Sequence, residues 1–320
     1  MRDTILFGDC RETLKEFDEQ ARMCVTSPPY YGLRDYGGED KQIGQEQTPE
    51  EFIEQLVSVF REVRNVLTDD GTLWVNLGDS YYNYRPGKGQ ALVKQSVSKT
   101  KQDLPDKCAK RANKLEGLKE KDLIGIPWMF AFAMRNDGWY LRQDIIWHKP
   151  NPMPESVRDR CTKSHEYIFL FSKNKKYYYN NEAIKEPAKD WGTRDRTNGK
   201  YHNEGTGLSP HTGLTKSYPT KNKRSVWSVT NKPYREAHFA TYPPDLIEPC
   251  ILAGSEMGDI VLDPFMGSGT TAAVAKALGR DYIGCELHED YGNLIKKRVE
   301  DYQTVNKVVQ EPSINILDII

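Results

Sequence analysis

Short apolar runs alternate with helical segments along this 320-residue chain, and this alternation constrains the fold more than any other feature. The runs are shorter than a typical helix, and several end in Gly-containing or Pro-containing turns, as buried strands do. Strands that alternate with helices predict an α/β fold with a doubly wound, mostly parallel sheet and helices on both faces. Ligands of such sheets bind at the carboxyl ends of the strands.

Cap residues and periodicity define the individual elements. Thr48, Pro49 and Glu51 have the types and spacing of a helix start with a capping box. The residues at 69–71, Asp-Asp-Gly, predict a turn between that helix and the next strand. We expect strands at 5–7, 21–25, 72–77, 139–147, 166–172, 260–262 and 282–285. We expect helices at 11–17, 49–67, 126–134, 245–253, 270–278 and 291–302.

A stiff polar turn follows the second predicted strand, with Ser27, Pro28, Pro29 and Tyr30 in sequence. The two prolines cannot continue a strand ladder, so the chain must turn there. The Ser27 hydroxyl and a proline carbonyl can accept hydrogen bonds, and Tyr30 can stack on a flat ring. The segment therefore suits a ring that carries an amine. An ordinary structural turn is the alternative.

A Gly-rich turn joins the predicted strand at 260–262 to a helix, and it contains Asp263, Phe265, Gly267, Ser268, Gly269 and Thr270. It has neither the third glycine of a dinucleotide-binding motif nor the Gly-Lys-Ser/Thr of a P-loop. Glu286 ends the next strand, where an acidic side chain can accept hydrogen bonds from ribose hydroxyls. A ligand with a ribose but no diphosphate is predicted, and a nicotinamide dehydrogenase is disfavoured. A plain Gly-rich turn beside a surface glutamate remains the alternative.

Charge is strongly segregated along the chain although the formal net charge is only −1. Residues 85–121 carry eleven Lys or Arg against four Asp or Glu, and residues 173–235 carry fourteen against five. Basic segments on an otherwise acidic chain suit contact with phosphate, although two solvated loops without a partner would look the same. The six cysteines are scattered without Cys-x-x-Cys spacing, so we expect neither a zinc site nor disulfides. No apolar run is long enough for a membrane span.

These segments together resemble the amino-group DNA methyltransferases, which modify adenine N6 or cytosine N4. The catalytic tetrapeptide comes first and the Phe-x-Gly-x-Gly segment last, which matches the permuted beta-type subgroup. The resemblance covers most of the chain apart from the two basic insertions. The matching segments are 6–10, 26–30, 71–76, 144–150, 166–171, 240–247 and 263–271.

The resemblance implies a Rossmann-like fold, S-adenosyl-L-methionine as cofactor and double-stranded DNA as substrate. Asp9 would approach the cofactor adenine, and Glu286 would hold the ribose hydroxyls. Pro244 and Asp245 would lie near the methionine end. The turn from Asp263 would supply the remaining contacts, with Phe265, Gly267, Ser268 and Gly269 around the ligand and Thr270 at the helix start.

In this interpretation the target base swings out of the duplex, and Ser27 with the carbonyl of Pro28 or Pro29 accepts its amine N–H groups. The cofactor's own charge provides the electrophile, so no metal is required. Serine at the first tetrapeptide position favours cytosine N4, with adenine N6 as the alternative. A protein glutamine methyltransferase and a non-catalytic DNA-binding relative are the two further interpretations.

The expected organisation has three parts: a catalytic half at 1–172 with a basic insertion at about 84–121, a target-recognition region at 173–235, and a cofactor-binding half at 236–320. Candidate DNA contacts are Arg34, Tyr36, Lys221, Lys223 and Arg224. For His148 and Lys149 a structural or phosphate-binding role is favoured over catalysis. A monomer or homodimer in the cytoplasm of a bacterial, archaeal or phage-infected cell, with a cognate restriction endonuclease as a candidate partner, completes the expectation.

Overall fold

An eight-stranded sheet forms the centre of the molecule in this computed structural model, which describes residues 1–32, 42–82, 115–188, 219–231 and 242–306. Arg34, Tyr36 and most of the two basic insertions lie outside the described residues. No helix in the described ranges is long and apolar enough to cross a membrane.

Six α-helices and ten strands are formed within the described ranges. The strands are β1 (Thr4–Phe7), β2 (Ala21–Thr26), β3 (Leu67–Leu77), β4 (Tyr140–His148), β5 (His165–Ser172), β6 (Glu186–Pro187), β7 (Thr220–Lys221), β8 (Val226–Ser228), β9 (Ile260–Asp263) and β10 (Asp281–Glu286). The helices are α1 (Cys10–Thr13), α2 (Pro49–Val66), α3 (Ile126–Asn136), α4 (Pro244–Gly254), α5 (Thr270–Ala277) and α6 (Tyr291–Asn306).

The sheet has the strand order β1-β10-β9-β2-β3-β5-β4-β8. All neighbours are parallel except β5, which is antiparallel to both β3 and β4. The prediction of a doubly wound, mostly parallel sheet is therefore confirmed. Strands β2 and β9, which carry the two turns of interest at their carboxyl ends, are direct neighbours.

Two hydrophobic cores lie on opposite faces of this sheet. Leu73 and Val75 of β3 point into the core covered by α2 and α3, whereas Trp74 between them points into the core covered by α4 and α5. Because successive side chains of a strand alternate between faces, a strand buried on both sides has to be apolar throughout. This explains the continuous apolar runs in the sequence.

The start of α2 follows the sequence prediction. The Thr48 side chain accepts from the Glu51 amide at 3.2 Å, and the Glu51 carboxylate accepts from the Thr48 amide at 3.3 Å. Pro49 occupies the first turn, where its missing N–H leaves no hydrogen bond unmade. The capping box therefore fixes where α2 begins.

The predicted turn at 69–71 is wrong, because these residues lie inside β3. Ala21 pairs with Leu67 and Met23 pairs with Thr72, so β3 bulges away from β2 between those pairs. The polar groups of the bulge are satisfied from elsewhere: the amides of Lys173 and Tyr178 donate to the carbonyls of Gly71 and Asp70 at 3.1 Å and 2.9 Å. Residues that often form turns therefore form a bulge here, because amides outside β3 donate hydrogen bonds to its exposed carbonyls.

The predicted recognition region contributes to both sheets. Strands β6 and β7 form a separate antiparallel ribbon, in which Glu186 pairs with Lys221. Strand β8 instead extends the main sheet, where it runs parallel to β4 with Trp227 opposite Trp147. Both tryptophan side chains are buried in the same core. The described end of this region is therefore anchored to the main sheet, and its role in target recognition stays a prediction.

Candidate active site

A buried carboxylate joins the two turns that the sequence singles out. Asp263, the last residue of β9, accepts a hydrogen bond at 2.5 Å from the hydroxyl of Thr26, the last residue of β2. It also accepts from the Tyr242 hydroxyl at 3.1 Å and from the Phe265 amide at 3.0 Å, and from the Thr271 hydroxyl. Burial raises the pKa of Asp263, while these four donors act in the opposite direction.

The position of Asp263 brings the Ser27 turn and the Gly-rich turn to the same edge of the sheet. Ser27 follows Thr26 directly, and Phe265 follows Asp263 by two residues. Thr26 and Asp263 are 237 positions apart in the chain but share a hydrogen bond. The two turns predicted to work together are therefore adjacent in space.

The Ser27 turn is held in place by contacts with β3 and β5. The Ser27 hydroxyl donates to Asn76 Oδ1 at 3.4 Å, and Pro28 is buried. The Tyr30 ring lies against the backbone of Gly78, where an added Cβ would approach the ring to 2.6 Å. A side chain at position 78 would therefore displace Tyr30.

Asn76, Glu166 and Lys149 complete a polar network behind this turn. The Tyr30 hydroxyl donates to Glu166 Oε2 at 2.7 Å, and Asn76 Nδ2 faces the same oxygen at 3.3 Å. Lys149 Nζ forms an ion pair with Glu166 Oε1, and both side chains are largely buried.

Asn76 and Glu166 had no role predicted from the sequence, although both lie in segments that carry the family resemblance. The available signal was polarity, because Asn76 interrupts an apolar strand and Glu166 begins one. A polar side chain in a buried strand needs hydrogen-bond partners. Which partners it finds depends on strand pairing, and Asn76 pairs with Ile168 across β3 and β5.

The Gly-rich turn depends on backbone conformations that favour glycine. Gly267 and Gly269 have φ values of 53° and 84°, and a Cβ at Gly269 would lie 2.9 Å from Ile295 of α6. Ser268 is buried and accepts from the Arg298 guanidinium, and Thr270 begins α5. The backbone at this edge is therefore both tightly turned and closely packed.

Glu286 lies beside this turn at the end of β10. Its Oε2 accepts from the Gly267 amide at 2.8 Å, and its Oε1 accepts from the His288 amide at 3.1 Å. Burial raises the pKa of Glu286 despite these hydrogen bonds. Each carboxylate oxygen can accept more than one hydrogen bond, so Glu286 retains capacity for ligand hydroxyls.

Asp9 is brought close to Glu286 because β1 and β10 pair in parallel, with Phe7 opposite Glu286. Asp9 caps α1 by accepting from the Arg11 amide at 2.9 Å, and it forms an ion pair with the Arg11 guanidinium at 2.5 Å. Pro244 and the exposed Asp245 form the first turn of α4. They follow Tyr242, whose hydroxyl reaches Asp263, so α4 begins next to the Gly-rich turn.

The three described cations predicted to contact DNA surround one carboxylate. Lys221 Nζ, Lys223 Nζ and Arg224 Nε lie 3.9, 3.6 and 3.7 Å from Glu186. Lys223 Nζ also lies 5.1 Å from the centre of the Trp227 ring. Arg224 is the most exposed of the three, with 75% of its side chain accessible.

The strand order, with helices on both faces of the sheet, defines a class of fold, the Rossmann-like α/β folds. Among solved structures, the PvuII cytosine-N4-specific DNA methyltransferase matches with a TM-score of 0.61 and 18% identity, over 96% of this chain and 92% of that chain. A Thermus thermophilus protein in complex with S-adenosyl-L-methionine matches with a TM-score of 0.58 and 23% identity, over 93% of both chains. At these identities the likeness supports the fold.

A family model described as DNA methylase matches residues 21–297, and the chain belongs to this N6/N4 methyltransferase family. The Type II methyltransferase M.SmaI of Serratia marcescens is 48% identical over 92% of this chain and 90% of its own length. M.Cfr9I of Citrobacter freundii is 45% identical over 94% of this chain and 89% of its own length. The chain is thus an S-adenosylmethionine-dependent DNA amino-methyltransferase, and the predicted family, enzyme class and cofactor are confirmed.

The residues at the Gly-rich turn fit S-adenosylmethionine in their chemistry. Glu286 and Asp9 offer carboxylate acceptors at adjacent strand ends, and the turn offers close backbone approach without the sequence of a diphosphate-binding loop. Within the described ranges, no group of three or more His, Cys, Asp or Glu side chains could hold a metal ion. The individual ligand contacts stay predictions.

Replacing Asp263 with alanine should destabilise the fold. Asp263→Ala leaves three hydroxyls and one amide without their shared acceptor, and we expect a loss of about 3 kcal/mol in the free energy of unfolding. Urea denaturation measures it. Asp301→Ala on the exposed side of α6 is the control, expected within about 0.5 kcal/mol of the unmodified protein. Equal stability of the two variants would contradict the role of Asp263.

Replacing Glu286 with glutamine should weaken cofactor binding and change its pH dependence. Only the ionised carboxylate accepts hydrogen bonds at both oxygens, so affinity should fall as pH decreases through the raised pKa of Glu286. We expect Glu286→Gln to lower affinity at pH 8 by roughly 10-fold to 100-fold and to remove this dependence. Calorimetric titration between about pH 5 and pH 8 measures both. Glu289→Gln, at an exposed position nearby, should behave like the unmodified protein, and an unchanged pH profile in Glu286→Gln would exclude the contact.

Proposed function

We propose that this enzyme transfers a methyl group to the exocyclic N4 of a cytosine that has left the DNA helix. The observation that carries the proposal is the orientation of Ser27. Its hydroxyl oxygen lies 3.4 Å from Asn76 Oδ1. Because that oxygen can only accept, Ser27 donates its proton there and the lone pairs of Ser27 Oγ remain available to other donors. In the family that the chain resembles, serine at this position of the tetrapeptide also favours cytosine N4.

The chemistry requires acceptors for an amine. An exocyclic amine is a weak nucleophile because its lone pair is delocalised into the ring, and it becomes stronger as the nitrogen approaches tetrahedral geometry. Ser27 Oγ and the carbonyl of Pro28 or Pro29 accept the two N–H groups and favour that geometry, which stabilises the developing positive charge. S-adenosylmethionine bound at the adjacent turn would supply the electrophilic methyl group. The N–CH3 bond would form as the S–CH3 bond breaks, S-adenosylhomocysteine would leave, and one amine proton would be released to water.

Positioning contributes the remainder of the rate acceleration. The Tyr30 ring, fixed against Gly78 and by its hydroxyl to Glu166, offers a face on which a flat base can stack. An enzyme that modifies a base cannot reach its target atom inside the duplex, so the target nucleotide would be extruded. Holding the two reactants at neighbouring strand ends favours reaction by proximity.

DNA binding would use the cations around Glu186. The duplex is a polyanion, and cations on the surface beside β8 would bind its phosphates through counterion release. These cations directly precede β8, which pairs with β4, so phosphate contacts there would lie beside the sheet that holds the catalytic turn. Residues Arg34 and Tyr36 are additional candidates outside the described ranges.

The product distinguishes cytosine N4 from adenine N6. We expect 4-methylcytosine, and no 6-methyladenine, in nucleosides prepared from DNA treated with the enzyme and measured by mass spectrometry. Ser27→Ala should lower single-turnover methyl transfer about 100-fold or more, with S-adenosylmethionine affinity unchanged, because Ser27 acts on the amine. Ser58→Ala on α2 is a matched control that should retain activity.

Two results would count against this assignment. 6-Methyladenine as the product would favour the adenine N6 alternative. Equal losses of turnover and cofactor affinity in Ser27→Ala would contradict the role given to Ser27.

Charge reversal of the cation cluster should weaken DNA binding. The combined variant Lys221→Glu, Lys223→Glu, Arg224→Glu should flatten the slope of log affinity against log salt by about 0.9 for each phosphate that is no longer neutralised. Fluorescence anisotropy with labelled duplex measures the slope. Arg224→Glu alone should give part of the effect, whereas Lys296→Glu on α6 should give none. An unchanged slope in the combined variant would remove these side chains from the interface.

A further inference from the structure

The hydrogen bonds behind Ser27 have a fixed direction of donation, and an ion pair outside the catalytic turn sets this direction. Lys149 Nζ contacts Glu166 Oε1, and Glu166 Oε2 receives the Tyr30 hydroxyl at 2.7 Å. Lys149 Nζ also lies 4.2 Å from the centre of the Trp147 ring. A charged pair with only 17% and 14% of its side chains accessible has a fixed geometry.

Asn76 connects this pair to Ser27 through its amide group. Nδ2 faces two acceptors, the Tyr167 carbonyl at 3.1 Å and Glu166 Oε2 at 3.3 Å. The amide oxygen accepts from Ser27 Oγ at 3.4 Å. The Tyr30 hydroxyl also lies 3.3 Å from this oxygen, but its single proton goes to the nearer Glu166 Oε2 at 2.7 Å. Asn76 is only 4% exposed, so water cannot readily replace these partners.

The orientation of this amide decides whether Ser27 donates or accepts toward a substrate. A serine hydroxyl has one proton and two lone pairs. When its proton goes to Asn76 Oδ1, both lone pairs can face the amine N–H groups. If Asn76 instead presented Nδ2, it would occupy a lone pair of Ser27 and turn the proton toward the amine, which opposes the reaction.

We infer that Glu166 is a positioning residue, which with Lys149 fixes the Asn76 amide and thereby keeps Ser27 a hydrogen-bond acceptor for the target amine. An ionised carboxylate can only accept, so Glu166 admits only donors from Asn76 and Tyr30. Lys149 holds Glu166 in this orientation. The inference rests on the proposed function, because it assigns the same amine to Ser27.

Glutamine at position 166 should reverse the direction of these hydrogen bonds, so that residue 166 donates to Asn76 and Tyr30. Lys149 can only donate, so it would draw the carboxamide oxygen of the new side chain toward itself and turn the NH2 group toward Asn76 and Tyr30. Either Asn76 then rotates, or Tyr30 redirects its proton to Asn76 Oδ1. In both arrangements Asn76 Oδ1 is no longer an acceptor for the Ser27 proton alone.

Alanine at position 166 should be less harmful to catalysis than glutamine. It removes the acceptor without introducing a donor, and a water in the vacated space can accept from both Tyr30 and Asn76. The truncation nevertheless loses more packing and leaves Lys149 without its carboxylate, so it should destabilise the fold more. Catalysis and stability should therefore rank the two variants in opposite orders.

The test compares Glu166→Gln with Glu166→Ala by single-turnover methyl transfer, S-adenosylmethionine affinity and urea denaturation. We expect Glu166→Gln to lower the rate on the order of 10-fold to 100-fold, with cofactor affinity unchanged, and Glu166→Ala to lower it less. Glu166→Ala should have the lower unfolding midpoint. The double variant Lys149→Met, Glu166→Gln should recover most of the rate, because the carboxamide oxygen is then free to face Asn76.

Glu12→Gln is the matched control, since Glu12 pairs with Lys15 at 3.0 Å on the exposed side of α1. It should leave the rate unchanged. A Glu166→Gln rate equal to that of the unmodified enzyme, or a slower rate in Glu166→Ala than in Glu166→Gln, would overturn the inference. Ser27→Ala, measured in parallel, separates the two proposals: if it is inactive while Glu166→Gln is fully active, the positioning role fails and the proposed function stands.

Discussion

The hydrogen bond between Thr26 and Asp263 is the contact on which the site depends. It joins the last residues of two neighbouring strands, and each residue is followed directly by one of the two turns that are predicted to form the site. A buried carboxylate with four donors is costly to disrupt, because every donor would lose its acceptor in a region that excludes water. The relative position of the two turns is thus set by the core, and the turns themselves need not contact each other.

Two carboxylates at this edge of the sheet have pKa values shifted in the same direction, but their roles differ. Burial raises the pKa of both Asp263 and Glu286. Asp263 is enclosed by donors from the protein and acts on structure. Glu286 is half-buried beside the Gly-rich turn, with acceptor capacity to spare for ligand hydroxyls. A carboxylate with a raised pKa at a strand end therefore indicates a ligand site only when its hydrogen-bond partners leave it able to accept from a ligand.

Much of the fold followed from local pattern. The capping box of α2, the alternation of strands and helices, and the two turns at strand ends appear where residue types and spacing predicted them. The prediction of a turn at 69–71 was wrong because it used only residue types. The bulge there depends on donors from Lys173 and Tyr178, about a hundred positions later in the chain. Likewise Asn76 and Glu166 could be noticed as polar interruptions, but their shared hydrogen bonds required the pairing of β3 with β5.

The amino-acid sequence by itself determined the element types, the motifs, the family and the cofactor, because each rests on residues close together in the chain. Tertiary structure decided which strand ends meet, how the Asn76 amide is oriented and where the cations near Glu186 lie. Strand order in a sheet is set by packing over the whole core, and hydrogen-bond direction is set by atoms from several strands at once. Neither can be read from a local segment, so the geometry from which we propose that Ser27 is an acceptor emerges only in the folded molecule.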